Sequence, residues 1–304
     1  MDRTVSFPGP VSYGATLAPW RRGAGDPTFQ ITPDGAIWRT SLLASGPVTA
    51  RIVRAGPTAV DTRMWGPGAV EFADALPALL GLHDEWADFQ PEEPTVAAAA
   101  RGAAHLRLGR SGRVFEALVP AIIEQRVPGA DAFRAWRTLV NRFGGPAPGP
   151  APARMRVFPP AEVWRTIPSW EYHRANVDPG RARTVFLAAG RADALERLVS
   201  RPAEAARTAL MSLPGVGVWT AAEVAQRAFG DADALSVGDY HVSKMVGWTL
   251  VGRPLDDAGM IELLEPMRPH RHRVVRLLEL SGLAAARGAP RRGARLPVQN
   301  IHAL

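Results

Sequence analysis

Helical spacing runs up to and away from Leu213-Pro214-Gly215-Val216-Gly217, and this five-residue turn constrains the fold more than any other feature of the chain. Pro214 lacks an amide hydrogen and stops the first helix, while Gly215 and Gly217 open backbone angles that other residues avoid. Val216, between them, is placed to send an apolar side chain back and pin the two helices together. The second helix starts around Trp219 and stops at Gly230, so the unit covers about residues 203–230. Its turn leaves backbone N–H groups of Gly215, Val216 and Gly217 at a helix start with little in front of them. The helix dipole there favours an anion, so the turn suits a phosphate oxygen. An ordinary helical hairpin, with glycines chosen for the turn alone, is the competing reading.

The rest of the chain sorts around this unit. Residues 28–53 alternate apolar and polar side chains about the Pro33-Asp34-Gly35 turn, which predicts an antiparallel hairpin or meander. A short helix carrying Phe72, Leu76, Leu79 and Leu80 follows. "DFQPEEPT" reads as a linker whose Thr95 caps the next element. Beyond it the periodicity is helical: Val114, Phe115, Leu118, Val119, Ile122 and Ile123 form one stripe, and Asp131 is placed to cap a helix that Gly144 and Gly145 stop. "GGPAPGPAPARM" reads as a stiff, exposed connection. The fold class expected is α+β: an N-terminal α/β domain with a small antiparallel sheet over residues 1–90, an all-α domain over 95–284 holding the helical hairpin, and a basic, loosely ordered tail over 285–304.

Charge and composition narrow the chemistry. The net charge is +7, and Lys244 is the single lysine among 36 basic residues. Arginine forks match phosphate oxygens, although a GC-rich codon bias gives the same composition. The chain has no cysteine, which excludes disulfides, thiolate zinc sites and cysteine-ligated iron–sulfur clusters. No apolar run approaches the ~18 residues of a membrane span, and the N-terminus lacks a basic region followed by an apolar stretch. A cytoplasmic, monomeric protein without membrane contact is therefore expected. His270 and His272 invite a metal reading, but no further ligands complete a set, so phosphate or surface contact is preferred.

"LPGVGVWTA" followed by "SVGDYHVSK" resembles the helix–hairpin–helix DNA glycosylase superfamily, in particular the 3-methyladenine DNA glycosylase II family. "FEALVPAIIEQRVPG", "DPGRARTVFLAAG" and "MRPHRHRVVRLLELSGL" extend the likeness over most of residues 95–284. The resemblance implies removal of damaged, above all alkylated, bases from duplex DNA, the nucleotide being swung out of the helix into a pocket. It assigns Asp239, twenty residues after Trp219, as the catalytic carboxylate. A helix N-cap is the alternative reading for Asp239, and the two are compatible. Trp219 and Tyr240 match aromatic pocket positions, with core packing as the alternative. Glu223 stands where the best-known members have tyrosine, and Glu279 roughly where they have tryptophan. Thr220 falls beside the hairpin glycines among the DNA contacts. Arg126 matches the residue that fills the gap left by the extruded base, with a plain surface arginine as the competing reading. Trp219 occupies the position of the lysine of strand-nicking relatives, so a monofunctional hydrolase is implied. The resemblance also implies a monovalent cation, Na+ or K+, on the backbone carbonyls of Met211, Leu213 and Val216, and no other cofactor. Two alternatives stay open: a non-catalytic DNA-binding protein built on the same hairpin, and a glycosylase for another lesion such as a deaminated base.

Overall fold

The computed structural model describes residues 1–283; the tail predicted over 285–304 lies outside the described residues. The N-terminal part is a five-stranded antiparallel sheet of β1 (Asp2–Ser6), β2 (Phe29–Ile31), β3 (Ile37–Leu43), β4 (Gly46–Arg54) and β5 (Ala59–Trp65), ordered β1-β5-β4-β3-β2. Two helices belong to it, α1 (Tyr13–Leu17) and α2 (Ala69–Leu79). The predicted meander is β2–β3–β4, in register at Ile37↔Ile52 and Thr40↔Thr49. Val48, Ala50 and Ile52 alternate along β4 onto one face and bury with Phe72, Leu76 and Leu79 of α2.

The opposite face of the sheet corrects the reading of the Pro/Gly segment. It is only partly an exposed connection: Pro146, Gly149, Pro150, Ala153 and Arg154 face solvent, while Ala147, Ala151 and Met155 pack on Trp38 and Trp65, whose rings stack at 5.6 Å. Gly149 has φ +72°, and a Cβ there would meet Trp65 Cγ at 2.4 Å, so this crossing admits no side chain. Prolines hold the chain extended across the sheet at little entropic cost.

The helices follow as α3 (Pro94–Gly102), α4 (Val114–Ile123), α5 (Gly129–Phe143), α6 (Ala161–Thr166), α7 (Ser169–Arg174), α8 (Pro179–Ala189), α9 (Ala192–Glu196), α10 (Ala203–Met211), α11 (Val218–Val224), α12 (Val242–Val251), α13 (Asp257–Leu264) and α14 (Arg271–Ser281). They form two cores. α4 is buried nearly all round, with Leu118, Val119, Ile122 and Ile123 fully covered, and it centres a core built from the α4–α11 stretch. α3 leaves that stretch and joins α12, α13 and α14 in a second core around Val96, Val246, Leu264 and Leu277. The chain crosses between the two cores in the segment after α11.

Two predicted caps move. Glu93, not Thr95, caps α3: Pro94 takes the first helical position and the Glu93 carboxylate accepts from Val96 N at 2.6 Å. α5 starts at Gly129, ahead of Asp131, whose carboxylate instead pairs with Arg134 one turn on. Asp178 caps α8, accepting from Gly180 and Arg181 backbone N–H groups.

Candidate active site beside the helical hairpin

α10 and α11 flank the predicted turn. Gly215 has φ +88°, and a Cβ built on it would sit 2.0 Å from Thr184 Oγ1 of α8. Glycine is required there twice over, for conformation and for space. Gly217 differs from expectation: its φ is −102°, open to any residue, and a Cβ there meets nothing. What it contributes is an uncovered helix start. Val216 is buried among the α4–α11 core, as its pinning role requires. α11 then loosens into a π-helical turn, Ala225–Phe229, before Gly230 closes it at φ +69°.

Thr220 does not face outward. It is 2% exposed, and its hydroxyl accepts from Gln125 Nε2 at 2.8 Å. The same Gln125 nitrogen donates to the Gly215 carbonyl at 2.9 Å. Gln125 therefore clamps the end of α4 to the hairpin, a function that sequence reasoning missed. Its neighbour Arg126 is exposed with φ +55°, a left-handed conformation that costs a non-glycine residue about 1 kcal/mol or more. Arg126 directly follows Gln125, whose side chain reaches the hairpin at Gly215 O.

Asp239 ends the crossing between the two cores. Its Oδ1 accepts from His241 N at 2.8 Å and Val242 N at 3.0 Å, so it caps the entry to α12, which begins at Val242 and not at Tyr240. Its Oδ2 accepts from Trp219 Nε1 at 3.2 Å. The capping reading of Asp239 holds: one oxygen caps the entry to α12, and the other is turned toward Trp219 of α11. Trp219 is half-buried with its N–H edge committed to this carboxylate.

Trp219 and Tyr240, the two aromatics expected at the pocket, have different surroundings. Tyr240 is 60% exposed, its face lies under Lys244 Nζ at 3.3 Å from the ring centroid, and its edge meets His241. Glu223 does not offer a free carboxylate. It accepts from Arg227 Nη1 at 2.7 Å and from Ser236 Oγ at 2.6 Å. Glu279 is paired with Arg276 on α14. The Glu223–Arg227 pair was legible as an i,i+4 spacing on one helix; Ser236 carried no signal. Glu124 was also missed. It pairs with Arg22 of the N-terminal part at 3.0 Å, and burial pushes its carboxyl above the ordinary range against the opposing pull of Arg22 and Arg227.

His272 is buried in α14, which corrects its reading as a surface contact; burial, reinforced by Arg276, Arg227 and Arg273, holds its imidazole well below its ordinary pKa. His270 accepts from Arg273 Nε through Nδ1 and touches the edge of Phe89. Among the described residues no group of three or more His, Asp or Glu is arranged to hold a metal ion. The carbonyls of Met211, Leu213 and Val216 are neutral oxygen donors of the type that hard cations take, and Leu213 O already accepts Val216 N at 3.0 Å across the turn. Among the described residues no helix is long and apolar enough to cross a membrane.

No protein-family model matches the chain. A curated relative from Mycobacterium tuberculosis (strain CDC 1551 / Oshkosh), the probable bifunctional transcriptional activator/DNA repair enzyme AlkA, is 31% identical over 156 residues, 48% of this chain and 29% of the relative. Its counterpart in strain ATCC 25618 / H37Rv matches to the same extent, so the chain spans 29% of the length of the curated relatives it matches. Among solved structures, the 3-methyladenine DNA glycosylase of Archaeoglobus fulgidus superposes with a TM-score of 0.78 at 19% identity, covering 92% of this chain and 98% of that one. MBOgg1, in complex with a low-affinity DNA ligand, gives 0.73 at 16% identity over 94% and 96%. The Clostridium acetobutylicum 8-oxoguanine glycosylase/lyase in its apo form gives 0.70 at 14% over 91% and 95%. The N-terminal five-stranded sheet and the helices behind it are the architecture these proteins share: the chain has the fold of the helix–hairpin–helix DNA glycosylases.

Proposed function

We propose that this chain is a DNA glycosylase that hydrolyses the N-glycosidic bond of a damaged base extruded from duplex DNA. The observation that carries the reading is Asp239, held by three N–H donors between the hairpin helix and α12. Cleavage of an N-glycosidic bond builds positive charge on the deoxyribose. A carboxylate fixed in advance stabilises that charge without reorganising as it forms. Oδ2, whose partner is a single neutral indole N–H, is the oxygen available to the sugar and to an attacking water.

The remaining parts have roles that follow from their positions. Backbone N–H groups around Gly215 and Gly217 take a phosphate oxygen, with the dipole of α11 and its π-helical continuation behind them. The carbonyls of Met211, Leu213 and Val216 would be the residues to hold a Na+ or K+, which would supply further positive charge to the phosphate contact. Arg126, presented in its strained conformation, fills the space the nucleotide vacates. Trp219 stands at the position of the strand-nicking lysine, and Lys244, the chain's single lysine, lies against Tyr240. The chemistry is therefore hydrolysis by water, with no imine to the sugar.

Asp239→Asn keeps the capping geometry and removes the charge. Base release from damaged duplex is expected to fall about 10²–10³-fold while DNA affinity is retained. Unchanged release by the variant would remove the mechanism. Borohydride added during turnover should trap no covalent adduct with wild-type protein; a trapped adduct would assign a lyase.

A further inference from the structure

Arg181 stands in the first turn of α8, yet its buried guanidinium serves three other pieces of chain. Nε donates to Asp178 Oδ2, Nη1 to Ile123 O at 2.6 Å and Nη2 to Asn176 O at 3.2 Å. The bond to Ile123 spans 58 residues and falls on the last residue of α4. Carbonyls at a helix C-terminus have no partner within the helix, and the dipole there favours a cation. Arg181 therefore caps α4 from a different helix. Asp178 holds it in place with one oxygen while the other caps α8 through Gly180 N and Arg181 N.

The residues just past the capped carbonyl are those the hairpin needs. Gln125 donates to Gly215 O at 2.9 Å and to Thr220 Oγ1 at 2.8 Å. Thr184, one turn after Arg181 on α8, lies against Gly215 and leaves no room there for a Cβ. One helix thus touches both the end of α4 and the hairpin turn, and Gln125 joins these two directly. Arg126 leaves this frame exposed, with φ +55°. Left-handed positions after a helix usually fall to glycine, which takes them without strain. An arginine there bears a conformational cost and carries a long cationic side chain away from the frame. We propose that Arg181 is a positioning residue for base extrusion: by capping α4 it sets where Arg126 enters the duplex. The proposal rests on the reading of Arg126 as the residue that fills the vacated space. Arg181 itself, with every nitrogen committed inside the protein, acts through what it holds. Lysine in its place would keep the charge and lose the fork that reaches three acceptors.

The test is single-turnover release by the full chain of one 7-methylguanine or one hypoxanthine. Each is placed opposite cytosine in one duplex and opposite a tetrahydrofuran abasic analogue in another. A paired base must be torn from its partner before it can swing out, and an unpaired one need not be. Arg181→Lys should lower release from the paired duplex at least about tenfold and from the unpaired one less than about threefold. Added to Arg126→Ala, it should lower paired release no further than Arg126→Ala does alone. Asp178→Asn keeps an oxygen to cap α8 but gives up the acceptor for Arg181 Nε. It should shift the paired-to-unpaired ratio in the same direction, and it decides the matter if Arg181→Lys does not fold. Equal losses on both duplexes, or losses that add to that of Arg126→Ala, would make Arg181 a purely structural residue and overturn the proposal, with the glycosylase reading left standing. Paired release at the wild-type rate by Arg126→Ala would remove the reading of Arg126, and this proposal with it, but not the role of Asp239. Release of neither lesion by the wild-type chain would remove the glycosylase reading as well.

Discussion

Gly215→Ala tests the hairpin most directly, because two separate costs can be read from the structure. At φ +88° an alanine pays for a left-handed backbone, roughly 1–2 kcal/mol. Its Cβ would also stand 2.0 Å from Thr184 Oγ1 and 3.0 Å from Thr184 Cγ2. Thr184 is 5% exposed, and its hydroxyl donates to Gly180 O within α8, so it has no free space to turn into. Relieving an overlap of about 1 Å in packed surroundings costs about 1–3 kcal/mol. Together the substitution should destabilise the protein by about 2–5 kcal/mol, or displace the turn and lose phosphate binding instead. Urea unfolding and fluorescence anisotropy with a labelled duplex distinguish these outcomes. A double-mutant cycle with Thr184→Ala isolates the steric part: the pair should couple by at least about 1 kcal/mol, since the second substitution removes the obstructing hydroxyl and methyl but not the backbone cost. Coupling below about 0.5 kcal/mol, or a Gly215→Ala protein as stable and as tight-binding as wild type, would refute this account of the turn.

Three further outcomes follow from the same geometry. Trp219→Phe keeps a ring but loses the N–H to Asp239; release should slow about tenfold with DNA affinity unchanged, the size of a lost hydrogen bond to a charged group. Equal loss of affinity and rate would make Trp219 a packing residue. Gln125→Ala frees Gly215 O and Thr220 Oγ1 at once and should cost about 1–2 kcal/mol by urea unfolding, with a larger proportional loss in duplex affinity as the hairpin turn loses its tether to α4. His272 has a folded-state pKa well below its unfolded one, so the unfolded chain binds the extra proton first. The stability it contributes is present above the ordinary histidine pKa of about 6.5 and drains away as pH falls below it; urea midpoints at pH 5 and pH 7 should differ less in His272→Phe than in wild type.

The parts legible in the sequence are those that rest on local rules. The Leu-Pro-Gly-Val-Gly turn and the α4 stripe both follow from periodicity and backbone chemistry within a few residues. Asp239 was reachable because its capping partners are two and three residues away, while its orientation toward Trp219 depends on the two helical cores meeting. The misplaced caps of α3 and α5 share one cause. In each case a proline, Pro94 or Pro128, stood close enough ahead to start the helix before the polar residue that looked like its cap. The Pro/Gly segment read as exposed because composition reports stiffness and says nothing about the tryptophans waiting across the sheet.

Side-chain partners across long separations are where local reading runs out, and they decide the character of this site. Glu124 and Arg22 are 102 residues apart, and neither has a neighbour that hints at the other. Glu223 could be read as departing from an aromatic position, but its meaning depends on what the rest of the lining contributes. Arg227 and Glu124 are each desolvated, so removing either partner would leave a charge uncompensated at several kcal/mol. The arrangement is thus locked as a set.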